Sequence, residues 1–165
     1  MSERKSLYQS PGQPGRRRFE DLECYKLALH VIVGVQDLIK SLPPEEKFDL
    51  AVQIRRSSKS VAANIAEGYG RYHYLDSLYK YSIARGELNE TLSHVINAKI
   101  LGYIDQTIFE PLYLLIRETE QTLNGYMAYV QRQRAGATEY GDKALREDAV
   151  EYFVNGENDF DNGIK

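Results

Sequence analysis

The residues best suited to chemistry in this 165-residue chain are Arg55, Arg56 and Lys59, which form its densest internal basic cluster. They lie in the segment 53–71, QIRRSSKSVAANIAEGYGR, which ends at a fourth cation, Arg71. At about 100° per residue, the three cluster residues share one arc of a helix, roughly opposite an apolar face. Guanidinium and ammonium groups bind phosphates, and arginine does so with a planar fork of donors. The arc is therefore either a phosphate-binding surface or a solvated face balanced by acidic neighbours.

No set of residues amounts to a catalytic or metal site. Cys24 is the only cysteine and has no adjacent base, so we interpret it as a small core or boundary residue. Glu90 and His94 are four residues apart, whereas the di-iron pattern of helical bundles is Glu-x-x-His, present twice. The motif GYGR closes a helix instead of opening one, so it is not a phosphate loop. The sequence predicts a protein that is not an enzyme and has no metal, cofactor or small-molecule substrate.

Four amphipathic segments joined by short turns predict an all-α, antiparallel up-and-down four-helix bundle. Breakers and capping patterns place the helices at about 22–41, 45–68, 75–102 and 107–134. The expected starting residues are Asp21 as first N-cap, Pro44 as the opening of the second helix, and a capping box at Thr107 and Glu110. The expected core face of the first helix contains Leu22, Tyr25, Leu29, Ile32 and Ile39.

The second helix carries two features that predict contacts outside itself. Ala51, Ala62 and Ala66 form a narrow strip beside the basic arc, and small side chains let another helix approach closely. Asn64 is unusual in a helix interior, and a buried amide needs a hydrogen-bond partner. We therefore expect Asn64 to bond to a neighbouring helix or subunit, and the alanine strip to be left open for other copies of the chain.

The third helix carries a charge on its apolar face. Arg85 lies there between two leucines, and a charge in that position should have a carboxylate partner, with Glu67 and Glu118 as candidates. Tyrosines crowd the turn before this helix, where they would either stack on bases or form a half-buried rim between subunits. They are Tyr69, Tyr72, Tyr74, Tyr79 and Tyr81.

Charge is uneven along the chain although the net charge is only −3. Residues 1–18 read as a flexible basic arm, residues 19–135 as the bundle, and residues 136–165 as an acidic tail in which 143–153 could form a short helix. A globally basic nucleic-acid binder is excluded by this balance, so any contact with nucleic acid must be local. The lack of a membrane-length apolar run or a secretory signal, together with one cysteine, predicts a cytoplasmic protein.

The segment QIRRSSKSVAANIAEGYGR resembles the signature of a bacterial four-helix bundle protein family. That family was first described from open reading frames inside intervening sequences of large-subunit ribosomal RNA genes. FEDLECYKLA, LPPEEKFDLAVQIRR and SIARGELNETLSHVINAKILGYI resemble further family pieces in the expected order, over about 19–134. Ala63 and Glu87 depart from the pattern, since proline and serine are common there. The resemblance implies an antiparallel bundle that assembles as a homopentamer, with a suspected link to nucleic acid.

Two function classes follow for a chain of this kind. The first is a self-assembling scaffold, pentameric by resemblance, that binds RNA or DNA through Arg55, Arg56, Lys59 and Arg71. The second is a protein-binding adaptor or structural module without nucleic-acid affinity. Retention of nucleic acid by the purified particle distinguishes the two.

Overall fold

The computed structural model describes residues 7–8 and 18–134, so most of the predicted basic arm and all of the acidic tail lie outside the described residues. Four helices make up the described part: α1 (Glu23–Ser41), α2 (Leu50–Tyr69), α3 (Tyr74–Ile100) and α4 (Gln106–Gln133). Each helix packs against its neighbours in the chain, and α4 packs against α1 to close the bundle. The prediction of an all-α four-helix bundle is confirmed. None of the described helices has the length and apolarity that crossing a bilayer requires.

The predicted helix starts need correction at three places. Asp21 caps a short 3₁₀ turn, Phe19–Asp21, by accepting the Arg18 N–H at 2.9 Å, and α1 begins two residues later. Pro44 opens a separate 3₁₀ helix, Pro44–Phe48, and α2 begins at Leu50. Both differences have the same cause. Asp21 and Pro44 are as compatible with a short 3₁₀ turn as with the first turn of an α-helix, and 3₁₀ turns are frequent at helix ends.

The cap of α4 is also different from the predicted capping box. Asp105 is the N-cap, and its carboxylate accepts the N–H groups of Thr107 and Ile108 at 2.9 and 3.1 Å. Pro111 lies inside the helix without ending it. The predicted end near Arg134 is confirmed, because that residue adopts the left-handed conformation at φ 46° and ψ 38°.

The core of the bundle uses a different face of α1 from the predicted one. The fully buried residues of α1 are Cys24, Leu27, Ala28, Val31, Val35 and Leu38. All five residues of the predicted face are only partly buried and pack on the edge of that core. Both stripes are apolar with helical spacing, so periodicity could not choose between them. The second stripe gives α1 an apolar outer flank.

Candidate nucleic-acid interface

The three predicted cations lie together on the outer side of α2. Arg56 and Lys59 are exposed and Arg55 is half-buried, while Ile54, Ser57 and other residues of the opposite face are completely buried. Within residues 18–134, none of the three cations forms an ion pair. Uncompensated charges on one helix face attract phosphates by a long-range field as well as by contact. We call Arg55, Arg56 and Lys59 the α2 basic surface.

Arg71, the fourth predicted cation, belongs to a different cluster. Glu67 accepts a hydrogen bond from Arg71 one helical turn away, and its second oxygen lies 2.9 Å from Nζ of Lys80 on α3. Hydrogen bonds from Lys80 and Arg71 hold the pKa of Glu67 below its ordinary value. Glu67 therefore compensates Arg71 and Lys80 and leaves the α2 basic surface unbalanced. Lys80 was not predicted from the sequence as a partner of Glu67. The signal was its position about two turns into α3, which places it opposite the last turns of α2.

The prediction of an open alanine strip is wrong for two of its three members. Ala51 is 1% exposed and Ala62 is 6% exposed, because other residues of the same chain cover them. Ala66 is half-buried. The small side chains of α2 thus serve close packing inside the protomer.

The contact between α2 and α3 shows what this close packing achieves. The Thr91 hydroxyl on α3 donates to the Ser57 hydroxyl at 2.9 Å, and both residues are completely buried. Nearer the turn, Gly68 lies directly against the ring of Tyr81. These contacts show that α2 and α3 approach closely on the side of α2 opposite its basic surface.

Asn64 makes its observed hydrogen bonds within its own helix. Its amide donates to the carbonyl oxygen of Ser60 at 2.9 Å and lies 3.1 Å from the hydroxyl of the same residue. The expected bond to a neighbouring helix is therefore not the one formed. Side chains that bond back to the preceding turn can replace a tertiary partner. A role for Asn64 between subunits stays a prediction.

Arg85 has an amide as its partner on α4. Its guanidinium donates to the side-chain oxygen of Asn124 at 3.2 Å, and the residue is half-buried. The expected partner Glu67 is occupied by Arg71 and Lys80, while pairing with Glu118 stays a prediction. Arg85 therefore helps to join α3 to α4 at mid-height of the bundle.

The five tyrosines near the second turn differ in burial: two are buried, two are exposed, and Tyr69 is half-buried. Tyr74 and Tyr81 are 3% and 1% exposed, so they are core residues and cannot stack on bases. Tyr72 and Tyr79 are both 62% exposed and remain open to either of the predicted roles. The prediction for the cluster as a whole is wrong for its two buried members.

The surroundings of Cys24, Glu90 and His94, whose side chains could in principle do catalysis or bind metal, favour a structural role. Burial raises the pKa of the Cys24 thiol to about 11, which removes its nucleophilic form at neutral pH. His94 lies 3.5 Å from Glu90 on the same helix. In the described part of the chain, no three histidine, cysteine or acidic side chains converge as metal ligands would.

Comparison with known proteins places this bundle in a family. The family of 23S rRNA-intervening sequence proteins matches residues 20–125. A crystal structure of a protein of unknown function, from the S23 ribosomal protein family of Bacteroides thetaiotaomicron, is 28% identical with a TM-score of 0.58. The similarity covers 63% of this chain and 97% of that one. No curated protein matches. Since the match spans α1 to α3, most of α4 and well over half of the sequence, the chain belongs to the 23S rRNA-intervening sequence protein family.

Proposed function

We propose that this chain is a non-enzymatic scaffold that assembles with copies of itself and binds nucleic acid through the α2 basic surface. The observation that carries the proposal is the contrast between the cations on the outer face of α2 and the cation just beyond its end. Arg71 is neutralised by Glu67, whereas Arg55, Arg56 and Lys59 have no acidic partner among residues 18–134. Cations that only keep a protein soluble have no need to be kept apart from acidic side chains.

One protomer supplies too little charge for tight binding. Each phosphate neutralised on duplex DNA contributes about 0.9 to the slope of log affinity against log salt, so three cations reach a slope of about 3. Self-assembly would repeat the surface on one particle, and linked weak contacts gain affinity through effective concentration. A homopentamer is the assembly that we propose. The apolar outer flank of α1 supports it, since Val33 there is 45% exposed and Leu29 and Ile32 are only partly buried.

The test uses fluorescence anisotropy with a labelled 20-nucleotide single-stranded RNA and a 20-base-pair DNA duplex. The variant Arg55→Ala/Arg56→Ala should weaken binding of the favoured probe at least tenfold and lower the salt slope. The matched control, Lys26→Ala/Arg117→Ala, removes the same charge from two cations that have acidic partners, Glu23 and Glu120. The control should bind as the unmodified protein does.

Three results would contradict the proposal: no binding of either probe at low salt, binding that salt does not weaken, or equal losses in the variant and the control. Self-assembly is measured separately by light scattering on the eluting particle. A pentamer has five times the 18.9 kDa mass of one chain, and a particle of 18.9 kDa would refute assembly.

A further inference from the structure

One end of the bundle exposes apolar side chains where α2 begins and where α3 ends. This end, which we call the Phe48 end, consists of residues 42–52 and 97–106, where α2 begins and α3 turns into α4. Phe48 is 83% exposed, Ile100 is 76% exposed and Leu101 is 58% exposed. Single exposed apolar residues are ordinary, but several on adjoining turns form a patch of the kind that marks an interaction site.

A cavity of about 370 Å³ adjoins this patch between α2 and α3. Its walls include Ile100 and Leu101 together with the polar side chains of Asp49 and His94. The Asp49 carboxylate makes no capping bond to α2 and has no partner within residues 18–134. Nε2 of His94 is buried and lacks a hydrogen-bond partner among the same residues. The cavity thus offers an unpartnered carboxylate, that of Asp49, beside exposed apolar side chains, whereas Nε2 of His94 is covered and lies 3.5 Å from Glu90.

A second carboxylate in the cavity wall is already committed to the fold. Glu46 accepts the Leu50 N–H at 3.3 Å and the Tyr103 hydroxyl at 2.9 Å, which ties the 3₁₀ helix to α2 and to the α3–α4 turn. Glu46 therefore holds the rim of the cavity in place and adds its negative charge there. Asp49 is left as the acid available to a ligand.

The charge of the Phe48 end selects among the possible occupants. Its acidic side chains outnumber its basic ones, with Glu45, Glu46, Asp49 and Asp105 against Lys47 and Lys99. An acidic surface repels nucleic-acid phosphates and anionic lipid headgroups. A two-fold pairing of this end with itself would place like carboxylates opposite each other. A cationic and partly apolar partner is the one that matches both the charge and the exposed side chains.

We propose that the Phe48 end docks a basic amphipathic segment of a partner protein. A lysine or arginine of that segment enters the cavity beside Asp49 and His94, and its apolar side chains cover Phe48, Ile100 and Leu101. None of Arg55, Arg56 and Lys59 lines the cavity, so the Phe48 end and the α2 basic surface consist of different residues.

The test measures fluorescence anisotropy of a labelled 18-residue amphipathic helix made of leucine and lysine, added to the full chain. A second peptide with glutamate in place of lysine should bind at least tenfold more weakly. The variants Asp49→Asn and Leu101→Ser should each weaken binding of the lysine peptide at least fivefold. Neither change removes a described side-chain hydrogen bond, and circular dichroism verifies that both variants are folded.

The matched controls are Glu110→Gln and Leu114→Ser, which make the same kinds of change on the exposed outer side of α4. These controls should leave peptide affinity unchanged. The proposal is overturned if the controls lose as much affinity as the test variants or if the two peptides bind equally. It is also overturned if Leu101→Ser lowers the mass of the particle, because the patch would then be an interface between copies of the chain. Loss of nucleic-acid binding in Arg55→Ala/Arg56→Ala has no bearing on these outcomes.

Discussion

Substitution of Gly68 by alanine is the sharpest test of how α2 and α3 are held together. A Cβ added at Gly68 would lie 2.4 Å from Cε1 and 2.8 Å from Cδ1 of Tyr81. Carbon atoms in contact are normally about 3.5–4.0 Å apart, so the overlap exceeds roughly 1 Å. Tyr81 cannot move outward easily, because its side chain is 1% exposed and its ring packs edge-to-face on Tyr126 at 5.4 Å.

Two opposing effects set the size of the change. Alanine in place of glycine in a helix interior contributes about 1 kcal/mol of stability through helix propensity, and this is an upper limit at Gly68, the last residue but one of α2. Overpacking in a well-filled core costs about 1–3 kcal/mol, and a clash with a wedged aromatic ring belongs at the upper end. We expect Gly68→Ala to lower the free energy of unfolding by about 2 kcal/mol, which corresponds to a fall in Tm of roughly 4–8 °C.

The matched control is Gly86→Ala on α3. A Cβ at Gly86 meets nothing within 4 Å in the described chain, so only the propensity effect applies. This variant should raise the free energy of unfolding by about 0.5–1 kcal/mol. Thermal and urea unfolding followed by circular dichroism measure both variants at one protein concentration, so that mass action is held constant.

The two variants should therefore move in opposite directions. A double-mutant cycle with Tyr81→Leu isolates the contact, since the smaller flexible side chain makes room for the new methyl group. Gly68→Ala should then cost less in the Tyr81→Leu background than in the native one. A Gly68→Ala variant as stable as the native protein, or an equal cost in both backgrounds, refutes the reasoning.

Three further outcomes follow from the described contacts. Thr91→Val leaves the buried hydroxyl of Ser57 without its partner on α3 and should lower the free energy of unfolding by about 1–2 kcal/mol in urea titration; an unchanged midpoint would contradict this. The pKa of the Asp105 carboxyl is lowered by hydrogen bonds from Thr107 and the Ile108 N–H, so its stabilising effect is present above the ordinary value of 3.8 and lost as the pH falls through the lower folded value. The stability advantage of the native protein over Asp105→Asn should accordingly shrink in acid, and a constant difference from pH 6 to pH 2 would exclude the capping role. The Cys24 thiol, with its pKa raised from 9.0 to about 11, should react with a disulfide reagent on the order of 100-fold more slowly at pH 8 in the folded protein than in denaturant, and equal rates would show that it is accessible.

Much of the architecture could be predicted because the information is local. Local signals limit where helices can begin and end, whatever the rest of the fold. They are the prolines at 43 and 44, the glycines at 68 and 70, and apolar residues at helical spacing. The end of α4 was placed correctly on this basis. The starts of α1, α2 and α4 were less accurate because Asp21, Pro44 and Asp105 fit more than one type of cap or turn.

The residues of the candidate site could be predicted from the sequence, but which cations pair with Glu67 could not. The sequence places Arg55, Arg56 and Lys59 on one arc, since that depends only on the helical repeat. Whether Glu67 neutralises that arc depends on which residue α3 brings opposite it. The structure places Lys80 there, so the Glu67 carboxylate pairs with Lys80 and not with the cations of the arc.

By itself, then, the sequence determined the number of helices, their approximate bounds and the residues that share a face of each one. The tertiary structure decided how each helix is rotated about its own axis against its neighbours. That rotation buried Ala51 and Ala62 inside the protomer and left Leu29 and Ile32 at the outer edge of α1. Helical spacing fixes angles between residues of one helix, whereas the rotation depends on how side chains from four helices fill a common core.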